Sequence, residues 1–332
     1  MAAVKTLTLV APNLPRLLGP TAAARPATLQ RFCRRAESAF LAEMSLSAWY
    51  CRRFGVARQA DWPVAPLLAA AAGHATGYWL CADPASLAAD RDRVLLMPPP
   101  ELSDTESREL FALLRAHVEA DGIRALWIDA GRWCLGVERA PDLRCGDPAL
   151  ATGRDAGRYM PAGADAAPWL RLLTEVQMLL HDHAVNQGRE ARGEPAVNSL
   201  WLWGGGTLPI AGPVDFAVAC GTDALLRALA QRAGAAQLAL GASAAETLER
   251  HAHGSLLIAP DAALPMHDAD TSAWVRDWLD PAWAALGAGL IDAVVLVGPL
   301  AGGVAEIRLA RSARWKFWRR REPTPLGENA SS

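Results

Sequence analysis

The residues best suited to chemistry lie in one run. His183, Asn186 and Arg189 recur at intervals of three, and Asn198 and Gly204-Gly205-Gly206 bound the apolar segment that follows. Consecutive glycines expose backbone N–H groups that can form an anion-cradling concavity. An arginine beside them can clamp a phosphate or carboxylate through two parallel hydrogen bonds. His183, Asn186, Arg189, Asn198, Gly204, Gly205 and Gly206 are therefore expected to bind a small anionic metabolite. The plainer reading of the same residues is a tight glycine turn and a solvated cation at a helix end.

Histidine pairs invite a metal reading, because imidazole is a common ligand for zinc and manganese. His181 and His183 stand two apart, and on a helix that spacing turns two side chains about 200° away from each other. His251 and His253 fall at a helix end before Gly254, while His267, Asp268 and Asp270 read as a cap opening the next helix. No G-x-S-x-G elbow, H-E-x-x-H or G-x-G-x-x-G occurs. No catalytic residue, no metal ligand and no cofactor is assigned on this basis. Of 33 basic residues only Lys5 and Lys316 are lysines. A Schiff-base enzyme needs a desolvated lysine and a P-loop needs one beside its phosphates, so both classes are excluded.

The 332 residues suggest about two domains at roughly 150 residues each. Hydrophobic residues make up 52% and charged residues 20%, enough for a sizeable core. A formal charge of -2 creates no field that would recruit nucleic acid, so nucleic acid is not an expected partner. Six cysteines show no C-x-x-C pair and fit reduced thiols. Pro12, Asn13, Pro15 and Arg16 interrupt any signal-peptide core, and no stretch is long and apolar enough for a membrane span. A cytoplasmic protein is expected.

These residues need elements to position them. Residues 4–10 read as a strand, and 25–72 as mostly helical, with Phe32, Ala36, Ala39 and Phe40 at helical spacing. Short strands are expected over 78–81 and 93–97, with a helical turn over 83–89 between them. Ser103 and Glu106 form a capping box before Leu110, Leu113, Leu114 and Val118, with Gly122 as the stop. A hairpin is expected over 123–128 and 133–137 around Asp129-Ala-Gly131. Asp165 is expected to cap a helix carrying Trp169, Leu172, Leu173, Val176, Leu179, Leu180 and His183 on its inner face. From 198 onward, strands over 198–203, 216–220, 237–240, 255–259, 290–297 and 304–309 alternate with helices, implying parallel βαβ units. The expected organisation is a discontinuous α/β core over 1–74 and 195–310. A smaller αβ domain over 75–194, with a helical return, is inserted in it, and a basic aromatic tail occupies 311–332. In the tail, Arg311, Arg314, Trp315, Lys316, Phe317, Trp318, Arg319, Arg320 and Arg321 offer a surface for a protein partner or clip the tail back onto the domain.

The run from His183 through Arg189 to Gly206 resembles the H-P-V-N-x-x-R … P-A-N … G-x-G segment of archaeal-type cofactor-independent phosphoglycerate mutases. Ala82-Asp83-Pro84 and Asp90-Arg-Asp-Arg-Val, followed by the capping-box helix and the hairpin, resemble that group's inserted domain; 216–234 resembles its next βα unit. Over nearly the whole chain the sequence is similar to bacterial RpfE-type regulatory proteins. That similarity is carried by Glu175-Val-Gln-Met-Leu-Leu-His181, Asn198-Ser-Leu-Trp-Leu-Trp-Gly-Gly-Gly206 and Trp315-Lys-Phe-Trp-Arg-Arg320. The resemblance implies an alkaline-phosphatase-like parallel-sheet core with helices on both faces and an inserted αβ domain. It also implies a two-metal phosphomutase in which a serine is transiently phosphorylated.

The sequence departs from that pattern where the metals would be held. The family's first strand ends in Asp-Gly, but here Val10 is followed by Ala11-Pro12-Asn13. The late strand should run into Asp-His, but Val297 is followed by Gly298-Pro299-Leu300. No equivalent of the serine loop is found. The expectation is a regulatory or ligand-sensing protein on a degenerate phosphoglycerate-mutase-like scaffold, a pseudoenzyme rather than an enzyme. The alternative is an active metal-dependent 2,3-bisphosphoglycerate-independent phosphoglycerate mutase or phosphatase. It would hold manganese through His251, His253, His267, Asp268 and Asp270.

Overall fold

The computed structural model describes residues 5–19, 25–214, 216–241, 243–250, 254–260 and 268–315. Strand β1 (Thr6–Val10) leads into helices α1 (Leu14–Leu18) and α2 (Ala27–Arg35), strand β2 (Glu37–Ala42), and helices α3 (Leu46–Arg53) and α4 (Val64–Ala71). Strands β3 (Tyr78–Ala85), β4 (Leu87–Asp90) and β5 (Arg93–Leu96) precede the long helix α5 (Asp104–Ala120) and the hairpin β6 (Arg124–Asp129) and β7 (Arg132–Val137). Then come α6 (Pro148–Ala151), a 3₁₀ turn (Ala156–Arg158), α7 (Ala166–His181), α8 (Ala184–Ala191) and β8 (Ser199–Thr207). The chain continues through β9 (Val218–Gly221), α9 (Ala224–Ala233), β10 (Ala236–Leu238), α10 (Ala244–Arg250) and β11 (Leu256–Ala259). It closes with α11 (Asp268–Trp274), a π turn (Val275–Leu279), α12 (Asp280–Ala288), β12 (Ala293–Leu300), β13 (Gly303–Ala310) and a 3₁₀ turn (Arg311–Trp315).

Two compact units result: one from 1–55 and 212–332, the other from 56–211. The first is built on a seven-stranded sheet in the order β10-β9-β11-β1-β12-β13-β2. Strands β10, β9, β11, β1 and β12 run parallel; β13 returns antiparallel beside β12, and β2 pairs antiparallel with β13. Strands β11 and β12 are near-continuous apolar runs, and Thr8 of β1 is buried beside them, because both faces are covered, as parallel sheets require. Leu7, Leu9, Ile258 and Leu296 face a core shared with Phe32 of α2 and Leu286 of α12. Val10, Leu257 and Val297, which point the other way, are equally buried. On that side Trp49 of α3 donates its indole N–H to Glu306 of β13. The α/β class, with a parallel-sheet core and helices on both faces, is therefore observed.

The second unit holds an antiparallel sheet, β6-β7-β3-β8, and the separate hairpin β4-β5. Leu110, Leu114 and Val118 of α5 and Trp169, Leu173 and Val176 of α7 cover one sheet face. Burying each of these aliphatic side chains contributes about 1.5–3 kcal/mol as an upper figure. The capping box stands as expected: Ser103 Oγ accepts from the Glu106 amide, and Glu106 accepts from the Ser103 amide. Among the described residues, no helix is long and apolar enough to cross a membrane.

Four expectations about elements change. Residues 37–42 form β2 rather than continuing a helix, because β13 offers a partner edge from Gly303 to Arg308. Residues 83–89 are extended rather than a helical turn: β3 runs on to Ala85 and β4 begins at Leu87. Asp165 makes no side-chain cap; its carboxylate accepts from the Asp142 amide instead. The 198–203 strand belongs to the second unit rather than the parallel core. Strand β8 pairs antiparallel with β3 from Tyr78 to Ala85, and α4 packs on the same two strands. The two compact units divide at 55 and 212. Of the tail, 316–332 lies outside the described residues.

Candidate functional site

The structure gives the expected anion ligands other partners. His183 caps α8, its Nδ1 accepting from the Val185 amide at 3.2 Å. Asn186, 2% exposed, donates to the carbonyls of Leu180 and Val197 and accepts from the Val197 amide, each at 2.8 Å. Arg189, equally buried, donates through Nε to the Pro195 carbonyl and through a terminal nitrogen to the Glu101 carbonyl, both at 2.9 Å. The carboxylates of Glu106 and Glu194 each stand 3.4 Å from the same terminal nitrogen. Asn198 pairs through its amide with both backbone groups of Leu87. Together Asn186 and Arg189 fasten α8 to the segment leading into β8. An external anion at Arg189 would have to displace two carboxylates and two carbonyls.

The three glycines lie within β8, not in a turn. Gly204 is six residues beyond Asn198, about 20 Å along an extended strand. Arg189 and the glycines therefore do not share a pocket. Gly204 has φ +65, and a β-carbon there would stand 3.0 Å from that of Val64. A β-carbon on Gly206 would meet Gln59 and Pro63 at 2.7 Å, and one on Gly205 would overlap the Tyr78 hydroxyl. These positions are glycine because α4, its preceding loop and Tyr78 press against the strand.

Sequence reasoning missed a charged cluster on this sheet. Asp83 and Arg132 form an ion pair at 2.9 Å, and the Trp203 indole N–H donates to the other Asp83 oxygen at 2.8 Å. The Arg132 guanidinium also lies 4.7 Å from the Trp203 ring centroid, a cation–π distance. Burial pushes the Asp83 carboxyl up to about 6, while Arg132 and the Trp203 hydrogen bond pull it down. Asp61, which accepts from the Cys145 amide, is pushed up to about 6 by the same cause. Cys81 and Cys134 sit directly opposite each other on β3 and β7, both fully buried. Burial raises the Cys81 thiol well above its ordinary range, which leaves it a poor nucleophile. Alternation along β3 and β7 was the only sequence signal for this cluster, since cross-strand partners are set by register.

In the first unit, ligands of a doubly wound sheet would bind beyond the carboxyl ends of β1, β11 and β12. Here the ends of β1 and β12 are closed. The Ala11 amide donates to the Val297 carbonyl at 2.7 Å, and Ala11 and Leu14 are fully buried over the junction. Strand β12 continues to Leu300 and folds straight into β13. After β9, Asp223 is spent capping α9 through the Leu226 amide. The side chains at the β1 and β12 ends (Ala11, Pro12, Asn13, Gly298, Pro299, Leu300) do not fit a two-metal site, which needs several carboxylates and imidazoles. Among the described residues no three His, Cys, Asp or Glu side chains converge. His251, His253 and His267 lie outside those residues; Asp268 and Asp270 fall in α11.

No family model matches the chain. A segment of it is distantly related to archaeal phosphoglycerate mutases. Over 74 residues it is 32% identical to the 2,3-bisphosphoglycerate-independent phosphoglycerate mutase of Methanosarcina mazei, covering 22% of this chain and 19% of that protein. The Methanosarcina barkeri protein of the same name is 32% identical over 75 residues, 23% of this chain and 18% of its own. The match thus spans about a fifth of these relatives. Among solved structures, the cofactor-independent phosphoglycerate mutase of Thermoplasma acidophilum superposes with a TM-score of 0.43 at 16% identity, covering 92% of this chain and 90% of that one. A Pyrococcus horikoshii protein superposes at 0.49 and 15% identity, covering 93% and 88%.

Proposed function

We propose that this chain is a regulatory or ligand-sensing protein on a phosphoglycerate-mutase-like scaffold, of the RpfE type, and that it does not itself catalyse the mutase reaction. The observation that carries this reading is the closure of the β1 and β12 ends. Ala11, Leu14 and Gly298 fill with apolar contacts the place where a two-metal enzyme would present carboxylates. Asn13 is neutral and Pro12 has no side-chain donor, so neither supplies the charge that holds a divalent ion. The expected ligand is a small anionic metabolite; the expected route to a protein partner is the 311–321 tail.

Metal analysis of the purified protein, paired with a mutase assay in added manganese, tests the reading. The expected result is no stoichiometric metal and no interconversion of 3- and 2-phosphoglycerate. The competing reading, an active manganese-dependent mutase or phosphatase, draws on the segmental identity with the Methanosarcina enzymes. Turnover lost both on chelation and in His267→Ala would establish it and overturn ours.

A further inference from the structure

The second unit carries a charged groove that shares no residue with the Arg189 cluster or with the glycines of β8. Its volume is about 940 Å³, within the range of small-molecule sites, and Arg91, Arg93, Arg154, Arg158 and Tyr159 line it. One wall is the tip of the β4-β5 hairpin, where Asp90 faces Arg93 across the turn. The other is the segment 152–159, which docks beside β5. Gly153 donates to the Leu96 carbonyl at 2.8 Å, and Leu95 bridges to Asp155. The far end of that wall is pinned as well, by the Gly146 amide donating to the Tyr159 carbonyl at 2.9 Å.

The four guanidiniums are not equivalent. Arg93 is held by Asp90 at 2.9 Å, and Arg154 donates to the Tyr159 hydroxyl at 3.1 Å, which orients it without neutralising it. Arg91 and Arg158 are exposed, and among the described residues their side chains make no ion pair or hydrogen bond. The Asp155 carboxylate is turned to the Gly157 amide as a cap. Asp92 borders the groove as well, and the lining still keeps a positive balance of charge. Arg91 is also held at φ +55, an uncommon conformation for a residue with a β-carbon. The groove thus sets three guanidiniums without a carboxylate bonded to them on two walls fixed by backbone hydrogen bonds. Such an array suits a compact dianion with several oxygens better than a single carboxylate.

We propose that this groove is a binding site for the phosphate group of a small phosphorylated metabolite, held by Arg91, Arg154 and Arg158. It is independent of whether the first unit is catalytically inert: failure here would leave the outcome of the mutase assay untouched, and the reverse. The test is calorimetric titration of the full chain with pyrophosphate and with glycerol 3-phosphate. Saturable binding is expected for both, weakened about tenfold or more in the Arg91→Gly/Arg158→Ala double variant. Arg276→Ala, an exposed arginine paired with its neighbour Asp277 in the first unit, should bind as the wild type does. Absence of saturation with both probes, or unchanged affinity in the double variant, would overturn the proposal. Both substitutions are at exposed positions, and a matched melting temperature verifies that folding is intact.

Discussion

Leu14 stands so close over Gly298 that a β-carbon on the glycine would lie 2.6 Å from the leucine's own. The Ala11 carbonyl is nearer still, so the backbone after β1 and the end of β12 leave no room for a side chain. Gly298→Ala should therefore destabilise the first unit by about 1–3 kcal/mol through overpacking. Urea unfolding checks this; an unchanged midpoint would show that the junction is loose enough to have held a ligand.

Arg189 is expected to matter for folding rather than for anion binding. Arg189→Met removes the donors to two carbonyls and leaves Glu106 and Glu194 without that cation. A loss of about 2–4 kcal/mol is expected. Arg189→Lys should recover only part, since an ammonium cannot reproduce the planar fork. A loss well under 1 kcal/mol for the Met variant would mean that solvent reaches these carbonyls.

The buried Asp83 predicts a specific pH dependence. Its folded value of about 6 exceeds the ordinary 3.8, so between these pH values the folded state keeps a proton that the unfolded chain has released. Stability from this group therefore falls as pH rises from about 4 to about 6. Asp83→Asn should flatten that part of the stability profile, leaving the parallel contribution of Asp61 in place. Wild-type and variant curves offset by a constant across pH 4 to 6 would contradict the assignment.

Ser103→Ala should cost about 1 kcal/mol by opening the capping box at the start of α5. Glu106→Ala should cost more, because the same carboxylate also accepts from Arg192 at 2.6 Å and faces Arg189. Equal losses in the two variants would show that the ion contacts of Glu106 contribute nothing.

Several features were legible because their signals are local. The Ser103–Glu106 box, the Asp129–Gly131 turn and the alternation of strands with helices after 216 each need only residues a few positions apart. Strand β2 was not legible: Glu37-Ser-Ala-Phe-Leu-Ala has little strand propensity, and pairing with β13 overrides it. The run 83–89 read as a helical turn, yet β3 extends through Pro84, which it tolerates because its pairing with β7 ends at Cys81 and leaves Pro84 a neighbour on one side only.

Residue identity and local order suffice for the α/β class, the lysine-poor chemistry and the missing carboxylates after Val10 and Val297. Tertiary structure alone decided where the polar side chains point. Whether a guanidinium meets a ligand or a carbonyl depends on which distant segment packs beside it. Arg189, in an anion-like motif, is consumed by Pro195 and Glu101. Arg91 and Arg158, 67 positions apart, come to face one groove.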